Sequence, residues 1–142
     1  MCGIAGFTQF NHQFGDTKTL ESMGEAIRHR GPDAGGTYLE KHIGLSHRRL
    51  SIIDLSESGN QPMISHDQQY MIVFNVEIYN FLELREKLVI QGYPFKTHTD
   101  TEVILALYEK VGTDCLKEIN VMFAFALWDK AAQSLFIARD RI

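Results

Sequence analysis

The sequence predicts a single layered α+β domain built on antiparallel sheet. Its 142 residues are enough for one hydrophobic core and too few for two domains of ordinary size. Two β-prone segments at 122–129 and 134–140 are joined by a short turn, which is typical of a hairpin. Segments with helical periodicity lie between groups of such strands. This order favours helices packed on antiparallel sheets.

The N-terminal half is predicted to contain three strands and one helix. Residues 17–29 carry apolar side chains at helical spacing, after a candidate N-cap at Asp16 or Thr17. The loops are predicted from their glycine and proline content. Strands are expected in the first ten residues and at 36–41 and 43–53, and loops at 29–36 and 56–62.

The second half is predicted to begin with a buried strand at 69–75 and a helix at 80–91. The clearest helix covers 99–112, where Thr99 or Asp100 can cap the start and Gly112 the end. The apolar stripe of this helix comprises Val103, Ile104, Leu107, Tyr108 and Val111. The hairpin follows, with Phe123, Phe125 and Leu127 expected in the sheet core. Because the chain stops directly after its last strand, we expect a domain that is truncated at the C-terminus.

Composition argues against several classes of protein. The formal net charge of −4 gives no reason to expect nucleic acid or an anionic membrane as a partner. Neither a membrane span nor a signal peptide is recognisable. Cys2 and Cys115 cannot form a disulfide framework, and the histidines have no metal-ligand spacing. We therefore expect a cytoplasmic protein without a metal site, in which Cys115 is a small buried hydrophobe.

Cys2 is the strongest candidate for chemistry. Nucleophilic attack on an amide needs a thiolate, a nearby base and hydrogen-bond donors for the oxyanion. If Met1 is removed, the α-amine of Cys2 becomes free, and with an ordinary pKa of about 7.7–8.0 it can serve as the base. The position alone does not show that Cys2 is a nucleophile, because most cysteines at position 2 have no catalytic role.

Eight segments in one order along the whole chain support this role for Cys2. They are MCGIAGF at the start, RHRGPDAGG (28–36), SHRRLSIIDLS (46–56), GNQPM (59–63), FNVEIYNF (74–81), HTDTEVI (98–104), MFAFALWD (122–129) and ARDRI (138–142). The set resembles the N-terminal class II glutamine amidotransferase domain of the asparagine synthetase family. The sugar-phosphate transaminases and amidophosphoribosyl transferases share the MCGI start but lack similar RHRGPD, HRRLSIID and EIYN segments.

The resemblance implies the N-terminal-nucleophile (Ntn) hydrolase fold, a four-layer α/β/β/α sandwich of antiparallel sheets. It implies that Cys2 attacks the side-chain amide of L-glutamine, that ammonia leaves, and that water hydrolyses the thioester. The ammonia would pass to a C-terminal ATP-pyrophosphatase synthetase domain that is absent from this chain. No cofactor is expected in the amidotransferase domain, since ATP and Mg²⁺ belong to the synthetase domain. Association with further copies of the chain stays open.

The resemblance also implies roles for individual residues. Arg49 would bind the α-carboxylate of glutamine, a task suited to a guanidinium, and Glu77 and Asp100 would bind its α-ammonium. Without the resemblance, Arg49 would be interpreted as a surface arginine and Asp100 as a helix cap. The oxyanion would be bound by the Asn75 side-chain amide and the backbone N–H of Val76. The loop beside the nucleophile would consist of Arg30, Gly31, Pro32 and Asp33.

Val76 and Val121 depart from the family pattern, which usually has glycine at both positions. Glycine is favoured where φ is positive or where the backbone approaches a ligand closely, and β-branched residues are penalised at positive φ. We therefore predict weaker glutaminase activity than in a Val76→Gly variant. Two alternatives remain: a catalytically weakened or silent domain of the same fold, and the amidotransferase domain of a related ligase with another acceptor.

Overall fold

The computed structural model describes residues 2–9, 15–51, 57–119 and 121–140, without the side chains of positions 76, 77 and 121. The strands in this part of the chain form two antiparallel sheets, with the orders β1-β3-β2 and β4-β5-β6-β7. The elements are β1 (Gly3–Thr8), α1 (Thr17–Ala26), β2 (Ala34–Glu40), β3 (Ile43–Arg49), β4 (Met63–Ile64), β5 (Tyr70–Ile78), α2 (Phe81–Ile90), α3 (Asp100–Val111), β6 (Val121–Asp129) and β7 (Ser134–Arg139).

The two sheets pack face to face, and helices cover their outer faces. Helix α1 lies on the three-stranded sheet, while α3 packs on β5 and also contacts α2. The layer between the sheets is filled by apolar side chains from both of them. Its buried members are Ile43, Leu45, Met71, Val73 and Trp128. A second core, between the four-stranded sheet and its helices, contains Phe74, Phe125 and Leu127. The predicted α/β/β/α sandwich is confirmed.

The helix caps follow the predicted chemistry. The Asp16 carboxylate accepts a hydrogen bond from Thr19 N at 2.7 Å at the start of α1. At the start of α3, Thr99 Oγ1 accepts from Glu102 N at 3.3 Å. Gly112 ends α3 with φ 59°, a backbone conformation that favours glycine. The capping predictions at these termini are therefore confirmed.

Helix α3 is more deeply buried than an amphipathic stripe would require. Every residue from Thr101 to Leu107 is buried, because the first two turns are enclosed on all sides. Val111 is 44% exposed, so its predicted place in the apolar stripe is wrong. Cys115, just beyond the helix, is fully buried, and burial raises the pKa of its thiol to about 11. The prediction of a small buried hydrophobe at that position is confirmed.

The predicted loop at 29–36 is wrong at its C-terminal end, because β2 begins at Ala34. A Cβ atom on Gly36 would lie 2.3 Å from the carbonyl oxygen of Gln61, and one on Gly35 would lie 2.8 Å from Arg48 Nη1. These two glycines therefore permit close packing on a strand and do not form a turn.

Two other elements end earlier than predicted. Strand β3 ends at Arg49, so residues 50–51 are not strand, and the rest of the segment predicted to reach 53 lies outside the described residues. Helix α1 ends at Ala26 and is followed by a 3-10 turn at Arg28–Arg30. None of the helices in the described ranges is long and apolar enough to cross a bilayer.

Candidate active site

The layer between the sheets changes from apolar to polar toward the C-terminal end of β3. Leu45 lies in the apolar core, and His47 and Arg49 follow on the same face because side chains alternate along a strand. His47 is 1% exposed and Arg49 is 7% exposed. On β5, Asn75 follows the core residue Val73 in the same way. We call His47, Arg49 and Asn75 the polar end of the interface.

Cys2 lies beside this polar end. Gly3 pairs with Arg48, and the antiparallel register continued by one residue places Cys2 level with Arg49. The backbone N–H of Leu50 donates to Cys2 Sγ at 3.4 Å, and the thiol lies 3.8 Å from the carbonyl oxygen of Leu50. The candidate nucleophile is therefore adjacent to the arginine predicted to bind the substrate carboxylate.

Arg30 and Gly31 hold the predicted loop against the nucleophile. The Nε of Arg30 donates to the carbonyl oxygen of Cys2 at 3.1 Å. A Cβ atom on Gly31 would lie 2.4 Å from the carbonyl carbon of Arg48, a distance that real Cβ atoms essentially never show. Glycine at position 31 therefore lets the loop lie directly on the end of β3.

Asp33 fastens the other side of this loop, after the exposed Pro32. Its backbone N–H donates to the carbonyl oxygen of Arg49 at 3.1 Å. Its carboxylate Oδ2 accepts from the backbone N–H of Ser51 at 2.8 Å. The loop thus bonds to β3 and to the residues that follow it, and Cys2 is enclosed between them.

The guanidinium of Arg49 contacts the segment that contains Gly59 and Asn60. Arg49 Nη1 donates to Asn60 Oδ1 at 2.9 Å. A Cβ atom on Gly59 would lie 2.3 Å from Arg49 Nη2 and 3.1 Å from Thr99 Cγ2. Gly59 therefore lies between the guanidinium and the residue that precedes Asp100. Gly59 thus allows the guanidinium to lie close to the start of α3, where Asp100 follows Thr99.

Glu102 organises the loop that leads to Asp100. It is 6% exposed, and its carboxylate accepts from the backbone N–H groups of Lys96 at 2.8 Å and Thr97 at 2.6 Å. The hydroxyl of Thr97 donates to it as well, at 2.6 Å. Sequence reasoning gave Glu102 no role beyond a place near the helix start. The available signal was its spacing from Thr99, which is that of a capping box.

The register of β5 fixes which of its backbone groups face the open edge. Lys130 N donates to the carbonyl oxygen of Gln69 on the β6 side, and Ser65 N donates to that of Tyr70 on the opposite side. Alternation then directs the backbone groups of positions 72, 74, 76 and 78 away from β6. Strand β4 pairs with β5 only at positions 71 and 72. The N–H of position 76 therefore points outward from the edge of β5, at a place where β4 no longer pairs with that edge.

At this edge, side chains take the place of a neighbouring strand at Phe74. Gln61 Oε1 accepts from Phe74 N at 2.6 Å, and His47 Nε2 lies 3.2 Å from Phe74 O. Gln61 Nε2 also donates to Thr101 Oγ1 at 3.1 Å on α3. Sequence reasoning missed His47 and Gln61 as functional residues, although both belong to segments quoted for the family resemblance.

The hydrogen bond to a carbonyl oxygen requires His47 to carry its proton on Nε2. Burial lowers the pKa of His47, the hydrogen bond to Phe74 opposes this effect, and the nearby charge of Arg49 adds to it, so that the pKa is about 4. Nδ1 is buried and has no hydrogen-bond partner among the described residues. The imidazole is therefore a neutral donor at physiological pH.

The structure brings together most of the predicted site. Cys2, Arg30, Gly31, Asp33 and Arg49 are linked through the contacts above, and Gly59 lies close to both Arg49 and Thr99 at the start of α3. Asn75 follows Phe74, whose carbonyl oxygen His47 contacts. Met1 and the side chain of Glu77 lie outside the described residues. Val76 and Val121 lie within paired strands and pair with Phe123 and Ile78. The concern that these valines need a positive φ is therefore wrong, since strands are extended and favour β-branched residues.

No group of three His, Cys, Asp or Glu side chains within the described ranges is arranged to hold a metal ion. The chemistry available to the described residues is that of a thiol, a buried guanidinium, carboxylates and directed amide donors.

Comparison with known proteins gives one consistent result. The sequence profile of the glutamine amidotransferase domain family matches residues 1–142. The chain is 44% identical to asparagine synthetase (glutamine-hydrolysing) 1 of Bacillus subtilis, over 99% of this chain and 22% of that protein. It is also 44% identical to a putative asparagine synthetase (glutamine-hydrolysing) 2 of Methanocaldococcus jannaschii, over 100% of this chain and 30% of that protein. The chain thus spans less than a third of the length of these relatives.

A solved structure shares the fold. The glutamine phosphoribosylpyrophosphate amidotransferase of B. subtilis aligns with a TM-score of 0.57 at 21% identity, over 68% of this chain and 23% of that chain. At this identity the likeness concerns the fold.

Proposed function

Since this chain belongs to the glutamine amidotransferase domain family, we propose that it is the glutaminase part of an ATP-dependent asparagine synthetase. It hydrolyses L-glutamine to glutamate and ammonia, and the ammonia passes to a synthetase domain outside this chain. ATP and Mg²⁺ belong to that second domain. The names of the relatives with 44% identity support asparagine formation over another acceptor.

The observation that best supports the proposal is the position of Cys2 beside Arg49. Its sulfur accepts a hydrogen bond from Leu50 N at 3.4 Å, one residue after the buried Arg49. A thiol at this position can reach the side-chain amide of a glutamine whose carboxylate is bound by the guanidinium. Arg49 and Asp100 then bind the charged end of the substrate, together with Glu77, and select for a free amino acid.

The reaction proceeds in two steps, formation of a thioester and its hydrolysis. The Cys2 thiolate attacks the side-chain carbonyl carbon of glutamine, while the α-amine, freed by removal of Met1, has taken the thiol proton. The tetrahedral oxyanion is bound by the Asn75 amide and the N–H of Val76. The C–N bond breaks, and the leaving nitrogen takes the proton to form ammonia. Water then adds to the γ-glutamyl thioester, the C–S bond breaks, and glutamate and the Cys2 thiol are released.

The location and assembly of the protein follow from the same chemistry. Both cysteines are free, which is typical of proteins in a reducing compartment, so we place the protein in the cytoplasm. Its partners are glutamine and the synthetase domain. A silent domain of the same fold is the competing proposal, and its support is the replacement of the usual glycine by Val76.

Release of ammonia and glutamate from glutamine by the purified protein tests the proposal. Cys2→Ala is expected to abolish release, whereas Cys115→Ser, which changes a buried cysteine on the opposite side of the four-stranded sheet, is expected to retain it. Intact mass establishes whether Met1 is removed, which the mechanism requires. Ammonia release by Cys2→Ala at the wild-type rate, or none from wild-type protein lacking Met1, would contradict the proposal.

A further inference from the structure

The oxyanion donors assigned above sit on β5, whereas the nucleophile and the carboxylate-binding arginine are organised by β1 and β3. These strands belong to different sheets, so no strand ladder fixes their relative position. Two side-chain contacts to the backbone of Phe74 help to fix the position of β5 relative to β3. His47 on β3 reaches the carbonyl oxygen of Phe74 at 3.2 Å, and Gln61 accepts from the N–H of the same residue at 2.6 Å.

We propose that His47 and Gln61 are positioning residues that clamp Phe74 and thereby fix the two oxyanion donors of the glutaminase reaction. The inference rests on the proposed function and adds two residues that do not touch the substrate. The Phe74 carbonyl belongs to the peptide that joins Phe74 to Asn75. Its orientation sets the direction of the Asn75 side chain and of the next peptide, which carries the Val76 N–H.

The clamp has the properties that preorganisation requires. All three side chains involved, Phe74, His47 and Gln61, are buried, with exposures of 2%, 1% and 8%. Gln61 is itself fixed by its hydrogen bond to Thr101 at 3.1 Å, so the clamp is anchored in α3 as well as in β3. Donors held in this manner act where charge develops, and they need no reorganisation during the reaction.

The position of His47 adds a second consequence. It lies two residues before Arg49 on the same face of β3, so one rigid strand carries both the clamp and the guanidinium. The distance between the bound carboxylate and the oxyanion donors is thereby set by His47. A displacement of about 1 Å in such a geometry is enough to lower a rate about 10²-fold.

The first test is the pair His47→Leu and His47→Gln. Leucine removes the donor to Phe74 O, and we expect kcat for glutaminase to fall about 10–100-fold while KM for glutamine changes less than about twofold. Glutamine keeps an N–H donor near the position of Nε2, so it should restore most of kcat. His66→Gln, which replaces an exposed histidine, is the control and should behave as wild type.

The second test acts on the N–H of the same residue, in the peptide group that precedes Phe74, and serves if His47→Leu does not fold. Gln61→Met removes the acceptor of the Phe74 N–H at nearly constant side-chain length, and Gln61→Glu keeps an acceptor oxygen. We expect Gln61→Met to lower kcat in the same range and Gln61→Glu to lose less. Equal kcat in wild type, His47→Leu and Gln61→Met would overturn the inference.

Two readouts separate positioning from other roles. Activity is expressed per Cys2 thiol labelled at completion by an electrophilic glutamine analogue, so that a loss of folded protein does not count as a loss of kcat. The pH profile of kcat should keep its shape in His47→Gln, because a positioning residue transfers no proton. The inference would be overturned if the pH profile of kcat lost its acid limb in His47→Gln. It would also be overturned if His47→Leu had the wild-type kcat per labelled thiol.

The geometry itself can be tested without glutamine turnover. The ¹⁵N NMR signals of the His47 ring should report a neutral imidazole protonated on Nε2 at pH 7, and an Nδ1–H tautomer would overturn the inference. If wild-type protein releases no ammonia, the proposed function fails and the catalytic part of the inference fails with it. If the wild type is active and the His47 and Gln61 variants match it, the inference alone fails.

Discussion

The layer between the two sheets has an apolar half and a polar end, and the same strands build both. In the apolar half, Leu45 packs against Val73 and Trp128, and such contacts are nondirectional and depend on volume. At the polar end, His47 and Arg49 are about as deeply buried, and His47 Nε2 and Arg49 Nη1 each make a directed hydrogen bond. Because a hydrogen bond holds only within a narrow range of distances and angles, this end of the layer is the more rigidly specified.

The comparison separates the sources of stability and of activity. Truncation in the apolar half removes packing and leaves the directions of the site groups unchanged. A change at the polar end removes a directed hydrogen bond, either one that binds the substrate or one that orients the oxyanion donors. Substitutions in the apolar half should therefore change the free energy of unfolding, and substitutions at the polar end should change kcat or KM.

Leu45→Ala should produce the largest change in stability. Leu45 is 2% exposed in the core between the sheets, and truncation of such a side chain costs about 2–5 kcal/mol of the free energy of unfolding. KM for glutamine should stay within about twofold of wild type, since a change that leaves the binding groups in place does not weaken substrate binding. Denaturant unfolding with steady-state kinetics measures both. Leu39→Ala, at a 38% exposed position, is the control with a smaller cost. A large rise in KM in Leu45→Ala would break the comparison.

Acid should destabilise the protein through the polar end. Burial lowers the pKa of His47 from 6.5 to about 4, so between these values the unfolded chain binds a proton that the folded chain does not. Stability from this group is therefore complete above about pH 7 and is lost as the pH falls from 6.5 toward 4, by on the order of 3 kcal/mol. His47→Gln removes the titrating ring and should flatten the pH dependence of the unfolding free energy in this window. Equal slopes in the two proteins would contradict the prediction.

Arg49→Lys should weaken substrate binding at the polar end. Lysine keeps the charge but cannot form two parallel hydrogen bonds with a carboxylate, and it shortens the reach to Asn60 Oδ1. We expect KM for glutamine to rise about 10–100-fold, which corresponds to about 1.4–2.7 kcal/mol. Arg28→Lys, at an exposed arginine paired with Glu25, is the control. An unchanged KM in Arg49→Lys would show that the guanidinium does not bind the carboxylate.

The sequence was sufficient for the parts of the molecule that depend on local pattern. The caps at Asp16 and Thr99 and the hairpin at 130–133 follow from short-range chemistry, and the structure contains them. The start of β2 before Gly36 could not be predicted, because the reason for glycine at position 35 is Arg48, which is distant in sequence.

The same distinction applies to the site. Cys2 and Arg49 were found through segments that resemble a family, whereas His47 and Gln61 act through a backbone contact at Phe74. A side chain that bonds to a distant peptide group leaves no spacing pattern in the sequence. Glu102 is intermediate, since the capping-box spacing was visible but its bonds to Lys96 and Thr97 were not.

Val76→Gly should produce the smallest change and tests the residue that follows the polar end on β5. Position 76 lies inside β5, so glycine should lower the free energy of unfolding by about 1 kcal/mol. The substitution removes the isopropyl group of the residue whose N–H is assigned to the oxyanion. We therefore expect kcat/KM to rise by about tenfold, which corresponds to about 1.4 kcal/mol. Val121→Gly, also within a paired strand, is the matched control: it should lose similar stability without a gain in rate. A slower Val76→Gly enzyme would show that the valine belongs to the working site and does not impair it.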